Sequence, residues 1–218
     1  MSSFPGSPHL VKGGIVLINP ETSAVEKIIT LQYNPDTLSR TLQVNGAGGG
    51  EGAGGRSEPM RLAGPPVETL KLEAEIDAAD LMEAGDSVTA ESGIQPQLAA
   101  LETLIYPSSS KLSSNNSLAR SGTLEITPME SSLTLFIWNK NRILPVRLTE
   151  FSVTEEAFDI NLNPLRAKIS LGMRVLSVDD LGFSHKGGSL FMSYLQNKER
   201  LSKIFKSGTL SDLGVKSI

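Results

Sequence analysis

Residues 165–175 constrain this chain more than any other stretch. Leu165, Ala167, Ile169, Leu171, Met173 and Val175 are apolar, while Arg166, Lys168, Ser170, Gly172 and Arg174 between them are mostly polar. A period of two over that length predicts a half-buried antiparallel strand, with its apolar face on a core and its basic face outward. The run before it alternates as well: Leu144, Val146 and Leu148 share one parity, and Phe151 and Val153 share the other. The change falls at Thr149-Glu150. One extra residue there, a β-bulge, keeps both halves facing the same core. Residues 157–164 between the runs are rich in Asn, Asp and Pro, which predicts a long hairpin with an ordered loop.

Other segments carry strand patterns at residues 14–18, 27–33, 38–44, 67–78 and 133–138. In the segment at 67–78, Leu70, Leu72, Ala74, Ile76 and Ala78 oppose Thr69, Lys71, Glu73, Glu75 and Asp77, so its outer face is acidic. Residues 133–138, LTLFIW, are apolar on both faces, which marks a central strand or one covered by a neighbouring subunit. Two helices punctuate the β pattern. Pro96 opens one over 96–106, with Leu98, Leu101, Leu104 and Ile105 at helical spacing and Pro107 as its stop. The second spans 188–208, where Leu190, Tyr194, Leu201, Ile204 and Phe205 form a stripe beside Lys198, Arg200, Lys203 and Lys206. That stripe packs on its own sheet or docks on a neighbouring subunit. Residues 108–121 are rich in Ser and Asn and read as loop; residues 45–55, NGAGGGEGAGG, form a loop that orders only against a partner.

The 218 residues therefore divide into an N-terminal tail over 1–12, one β-domain over 13–181 and the helix over 188–208. The fold class is mainly β, a barrel or two-sheet sandwich with one short helix and a C-terminal amphipathic helix. The net charge of −4 gives no overall basic field for nucleic acid or anionic lipid. Without cysteine there are no disulfides or thiolate sites, which suits folding in a reducing cytoplasm. The N-terminus lacks the pattern of a signal peptide, and no apolar run is long enough to span a membrane.

Catalytic chemistry has little to work with. His9 and His185 have no second ligand at useful spacing and read as solvated loop residues. The glycine run lacks the Lys-Ser/Thr ending of a phosphate loop. Glu155 and Glu156 point to opposite faces of a strand, and Asp179-Asp180 reads as the polar end of one. No nucleophile, base and orienting group assemble, so neither a cofactor nor an enzymatic activity is expected. The charges are more telling. An acidic strand face (Glu73, Glu75, Asp77) and a basic one (Arg166, Lys168, Arg174) pair either across strands of one chain or between identical subunits of a head-to-tail ring.

Four stretches taken together, LQYNPDTLSRTL (31–42), EIDAADLM (75–82), GIQPQLAALETLIYP (93–107) and LFIWNKNRILPVRLTEFSVTEEAFDINLNPLRAKISLGMRVL (135–176), carry a resemblance. Over about residues 13–181 the chain resembles the tube-protein domain of extracellular contractile injection systems, which are phage-tail-like particles. TEEAFDxNLNPLRAxxSL is the most specific part. The resemblance implies a tail-tube-like β-barrel and a homo-hexameric ring at the baseplate, the tube initiator, joined to a spike or hub protein and to the inner-tube protein. It further implies assembly in the bacterial cytoplasm, then a place in the particle, without nucleic-acid binding or membrane insertion. A repeating inner-tube protein of the same particle is the alternative. Relatives commonly carry a LysM module after this domain, and the 37 residues after Leu181 are too few for one with its linker, so glycan binding is not carried over. A carbohydrate-binding β-sandwich is a further alternative, weakened by the single Trp and three Tyr. The subunit-interface candidates are Glu73, Glu75, Asp77, Arg166, Lys168, Arg174, Leu190, Tyr194, Leu201 and Phe205.

Overall fold

Alternating side chains build the chain into one antiparallel sheet. The structure, a computed structural model, describes residues 10–45, 62–83, 85–120 and 132–217. Its strands are β1 Gly14–Ile18, β2 Val25–Thr30, β3 Leu38–Gln43, β4 Val67–Asp77, β5 Leu133–Asn139, β6 Arg142–Phe158 and β7 Pro164–Val175. Their order across the sheet is β2-β1-β5-β6-β7-β4-β3. The chain is mainly β, as the periodicity indicates. It is not a closed barrel: among the described residues β2 pairs only with β1, and β3 only with β4, which leaves two edges. The expected barrel is thus corrected to one open sheet, sandwich-like in the way its flanks share a core. The flanks meet through side chains instead of backbone ladders. The Gln32 amide, just after β2, bonds both backbone groups of Asp77, and the Tyr33 hydroxyl donates to Asp80 at 2.7 Å.

The bulge lies where the parity changes. Leu148 pairs with Met173 and Glu150 with Gly172, so Thr149 has no partner across the ladder. Val146, Leu148, Phe151 and Val153 consequently stand opposite Val175, Met173, Leu171 and Ile169, all on the core side. Between the strands the loop is shorter than expected, residues 159–163, because β6 runs on to Phe158.

The core gathers Leu70, Leu72, Ile76, Ile169, Leu171 and Met173 from the strands with Ile15, Phe136 and Leu144 from the other flank. Burying this apolar surface is the main force holding the two flanks together, at about 25 cal/mol per Å² removed from water. β5 lies between β1 and β6 and is covered on both faces within the chain: Phe136 belongs to the main core, and Leu133 and Leu135 join Ile18 in a second cluster with Leu181 and Leu190.

The helices are α1 Ala78–Glu83, α2 Ser87–Ser92, α3 Gln95–Glu102, α4 Ser109–Arg120, α5 Val178–Leu181 and α6 Lys186–Ile204. α3 answers to the Pro96 signal, and its Leu98 and Leu101 are buried in the core. Of residues 108–121, read as loop, Ser109–Arg120 instead form α4, none of whose residues is buried. Asp179 and Asp180 do not end a strand. They begin α5, where Ser177 and Asp180 form a reciprocal cap. α6 starts before Gly188 because the His185 Nδ1 accepts the N–H of Gly187 at 3.0 Å. A Cβ at Gly188 would collide with the Gly182 carbonyl, so this glycine permits close approach and does not break the helix.

Candidate assembly surfaces

One face of the sheet is left to water. It carries Lys71, Glu73, Glu75 and Asp77 on β4, Arg166, Lys168 and Arg174 on β7, and Glu150 and Glu156 on β6. Cross-strand register sets Asp77 opposite Arg166 and Glu75 opposite Lys168. Arg166 reaches Asp77 at 2.8 Å, Lys168 reaches Glu156 at 3.1 Å, and Arg174 reaches Asp180 at 2.7 Å. All three cations are thus paired inside the chain, whereas Glu73 and Glu75 form no ion pair among the described residues. The Ala79 N–H, together with the Arg166 guanidinium, holds the Asp77 carboxyl below its ordinary range. At this corner an open depression of about 350 Å³ is lined by Tyr33, Glu75, Asp77, Glu156, Arg166 and Lys168. Its walls carry both signs of charge, so it selects for no single ionic ligand.

The stripe of α6 divides in two. Tyr194 is buried with Phe191 in the main core, and Leu190 packs on the second cluster. The Tyr194 hydroxyl donates to Glu68 at 2.9 Å, the Lys198 ammonium bonds the other Glu68 oxygen at 2.9 Å, and it also lies 4.1 Å over the Tyr194 ring. Arg40 approaches Glu68 at 3.6 Å. Glu68 sits on the core face of β4, only 3% exposed, and locks the helix to the sheet. Leu190 and Tyr194 therefore face their own chain and are not free for a neighbour. Past Lys198 the helix leaves the body: every described residue from 199 to 217 is exposed, Leu201 and Phe205 among them. Phe205 is not in the helix but caps its C-terminus.

A surface that pattern reading missed is the tip of the β6–β7 hairpin. The Asp159 carboxylate accepts the N–H groups of Asn161 at 2.7 Å and Asn163 at 2.8 Å, and the Asn163 side chain reaches both Asp159 and the Glu91 carbonyl. These bonds, the Asn163 side chain first, draw the Asp159 carboxyl below its ordinary range. They also hold Leu162 at a positive φ of 64°. The rigid loop presents Phe158, Ile160 and Leu162 to water, Ile160 at 99% exposure. The three apolar residues at a turn were the available signal, masked by the neighbouring Asn and Asp.

Among the described residues no group of His, Asp or Glu could hold a metal ion, and no helix is long and apolar enough to cross a membrane. His9 and residues 46–55 of the glycine run lie outside the described residues. No protein-family model and no curated protein matches this chain.

Proposed function

We propose that the chain is a structural subunit: copies close into a hexameric ring at the baseplate of a contractile injection system, joining spike hub to inner tube and starting the tube. One observation supports it above the others. Among the described residues the sheet ends in two unpaired antiparallel edges, β2 and β3, each six residues long. Different edges at opposite ends of one sheet suit a head-to-tail ring, where the β2 edge of one copy continues the β3 edge of the next and no edge is left unpaired. The uncovered polar face of the sheet then becomes a continuous ring surface. Apart from Glu73 and Glu75, the charges named on it are already paired within each copy, so it can line an aqueous channel. The number six and the baseplate position rest on the resemblance to tube-protein domains.

Electron microscopy of native particles tests the reading. A single ring of about six copies next to the spike is expected. Stacking in many layers would make the chain the repeating inner-tube protein instead, and absence from the particle overturns the proposal.

A further inference from the structure

Two unpartnered apolar patches of opposite charge lie at opposite ends of β7. At the end beyond Val175, α6 is fastened to β4 through Glu68 and then projects as an arm. Leu201, Ile204 and Phe205 on it are 46%, 67% and 77% exposed. Beside them Arg200, Lys203 and Lys206 form no ion pair among the described residues. A helical end with no packed face has little to hold it in water, since helices in proteins draw their stability from tertiary contact.

At the other end stands the hairpin tip with Phe158, Ile160 and Leu162, fixed by Asp159. The helices beside it are acidic: residues 78–103 hold Asp80, Glu83, Asp86, Glu91 and Glu102 and no Lys or Arg. The Ile94 N–H, which donates to the Pro164 carbonyl, and the Asn163 bond to Glu91 tie this segment to the hairpin. Val88 adds a further apolar side chain, 52% exposed. The tip is pre-organised, so little ordering remains to oppose binding.

We infer that the arm, residues 199–217, of one copy seats on the acidic, apolar-tipped pole of a second copy. The two patches match in apolar character and oppose in charge, and both belong to the same chain. The twelve residues of β7, at about 3.3 Å each, separate them, so the matching surface is offered by another molecule. Because the patches differ, the contact is heterologous, as in a ring. The inference rests on the reading that copies of this chain assemble with one another, and names a contact between them besides the edges.

The chain has no cysteine, so introduced thiols report single positions. Ile160→Cys and Phe205→Cys are made separately in the full chain, mixed and oxidised. A held contact raises the local thiol concentration, so the mixed disulfide is expected about tenfold above either self-pair. Mixed product no greater than the self-pairs overturns the inference. The second arm of the test is Arg200→Glu/Lys203→Glu/Lys206→Glu, followed by light scattering with circular dichroism as the folding control. Weakened association is expected, restored on mixing with Glu83→Lys/Glu91→Lys. If the unaltered chain assembles and the arm variant assembles equally well, the inference fails and the ring reading stands. A chain that stays monomeric at every concentration defeats both. If it is monomeric and binds phosphatidylglycerol vesicles through these three cations, the arm is a lipid anchor and the inference fails.

Discussion

The Gln32 side-chain amide pairs with both backbone groups of Asp77, donating to its carbonyl at 2.8 Å and accepting its N–H at 3.1 Å. It does for the two flanks what a ladder does for neighbouring strands. Gln32 stands just past β2 and Asp77 ends β4, so one side chain ties ends that four intervening strands keep apart. Gln32→Ala leaves two backbone groups without these bonds and is expected to cost about 1–3 kcal/mol in urea denaturation. Unchanged stability would assign the closure to the Tyr33–Asp80 bond alone.

The bulge yields a sharper contrast. Thr149 is exposed, and Thr149→Ala is expected to change stability by no more than about 0.5 kcal/mol. Deleting Thr149 turns Leu144, Val146 and Leu148 away from the core, or else Phe151 and Val153, and is expected to cost more than about 4 kcal/mol. Chemical denaturation of both variants decides it. Equal effects would mean that the strand absorbs the deletion by slipping.

Much of this fold could be read from local pattern. Alternation in residues 67–78 and 165–175 corresponds to β4 and β7, and the parity change at Thr149 corresponds to the bulge, because a strand's burial has a period its own sequence displays. α4 escaped because its Ser and Asn residues have low helix propensity and no face of it is buried. α1 and α2 are six residues each, too short to show a stripe. The pairings of Glu68 with Tyr194, 126 residues apart, and of Gln32 with Asp77, 45 apart, leave no local trace. The division of α6 is hidden for the same reason: Tyr194 and Leu201 look equivalent in a stripe, and only the end of the sheet tells them apart.

Glu68 is the most deeply buried carboxylate among the described residues, held by Tyr194 and Lys198 with Arg40 nearby. Glu68→Ala leaves the phenol and the ammonium without their acceptor and is expected to cost about 3–5 kcal/mol. Tyr194→Phe removes one bond and should cost about 1–3 kcal/mol. Thermal denaturation of both variants checks the order. A milder effect for Glu68→Ala than for Tyr194→Phe would mean that water replaces the carboxylate.

Acid should act at the hairpin tip. The folded Asp159 carboxyl lies below its ordinary value of 3.8, so its bonds stabilise the loop above that pH and are lost as pH falls through the lower, folded value. The amide protons of Asn161 and Asn163 are expected to keep their nuclear magnetic resonance shifts down to about pH 3.8 and to move below it. Movement centred well above that pH would show that the carboxylate is not the acceptor. Asp159→Ala should abolish the transition.

On the polar face, Arg166→Glu, Lys168→Glu and Arg174→Glu together set like charges beside Asp77, Glu156 and Asp180. The folded monomer is expected to lose stability, since three attractive ion pairs become repulsive, that of position 166 with Asp77 directly across the sheet. Replacing Asp77, Glu156 and Asp180 by Lys in that background should recover part of it. Calorimetry on monomer separates this from assembly: an unchanged transition with lost association would place these charges between subunits.

The open edges have a bearing on how this protein must be made. β2 exposes Val25 and Ile28 along an unpaired ladder, and β3 is guarded chiefly by Arg40. Such a strand is a template for any extended chain, so concentrated monomer is exposed to disordered aggregation, with cross-β growth as the extreme outcome. Recombinant yield should accordingly depend on how quickly the edges are capped, and a charged residue at Val25 or Ile28 should trade that hazard for a soluble, assembly-deficient chain.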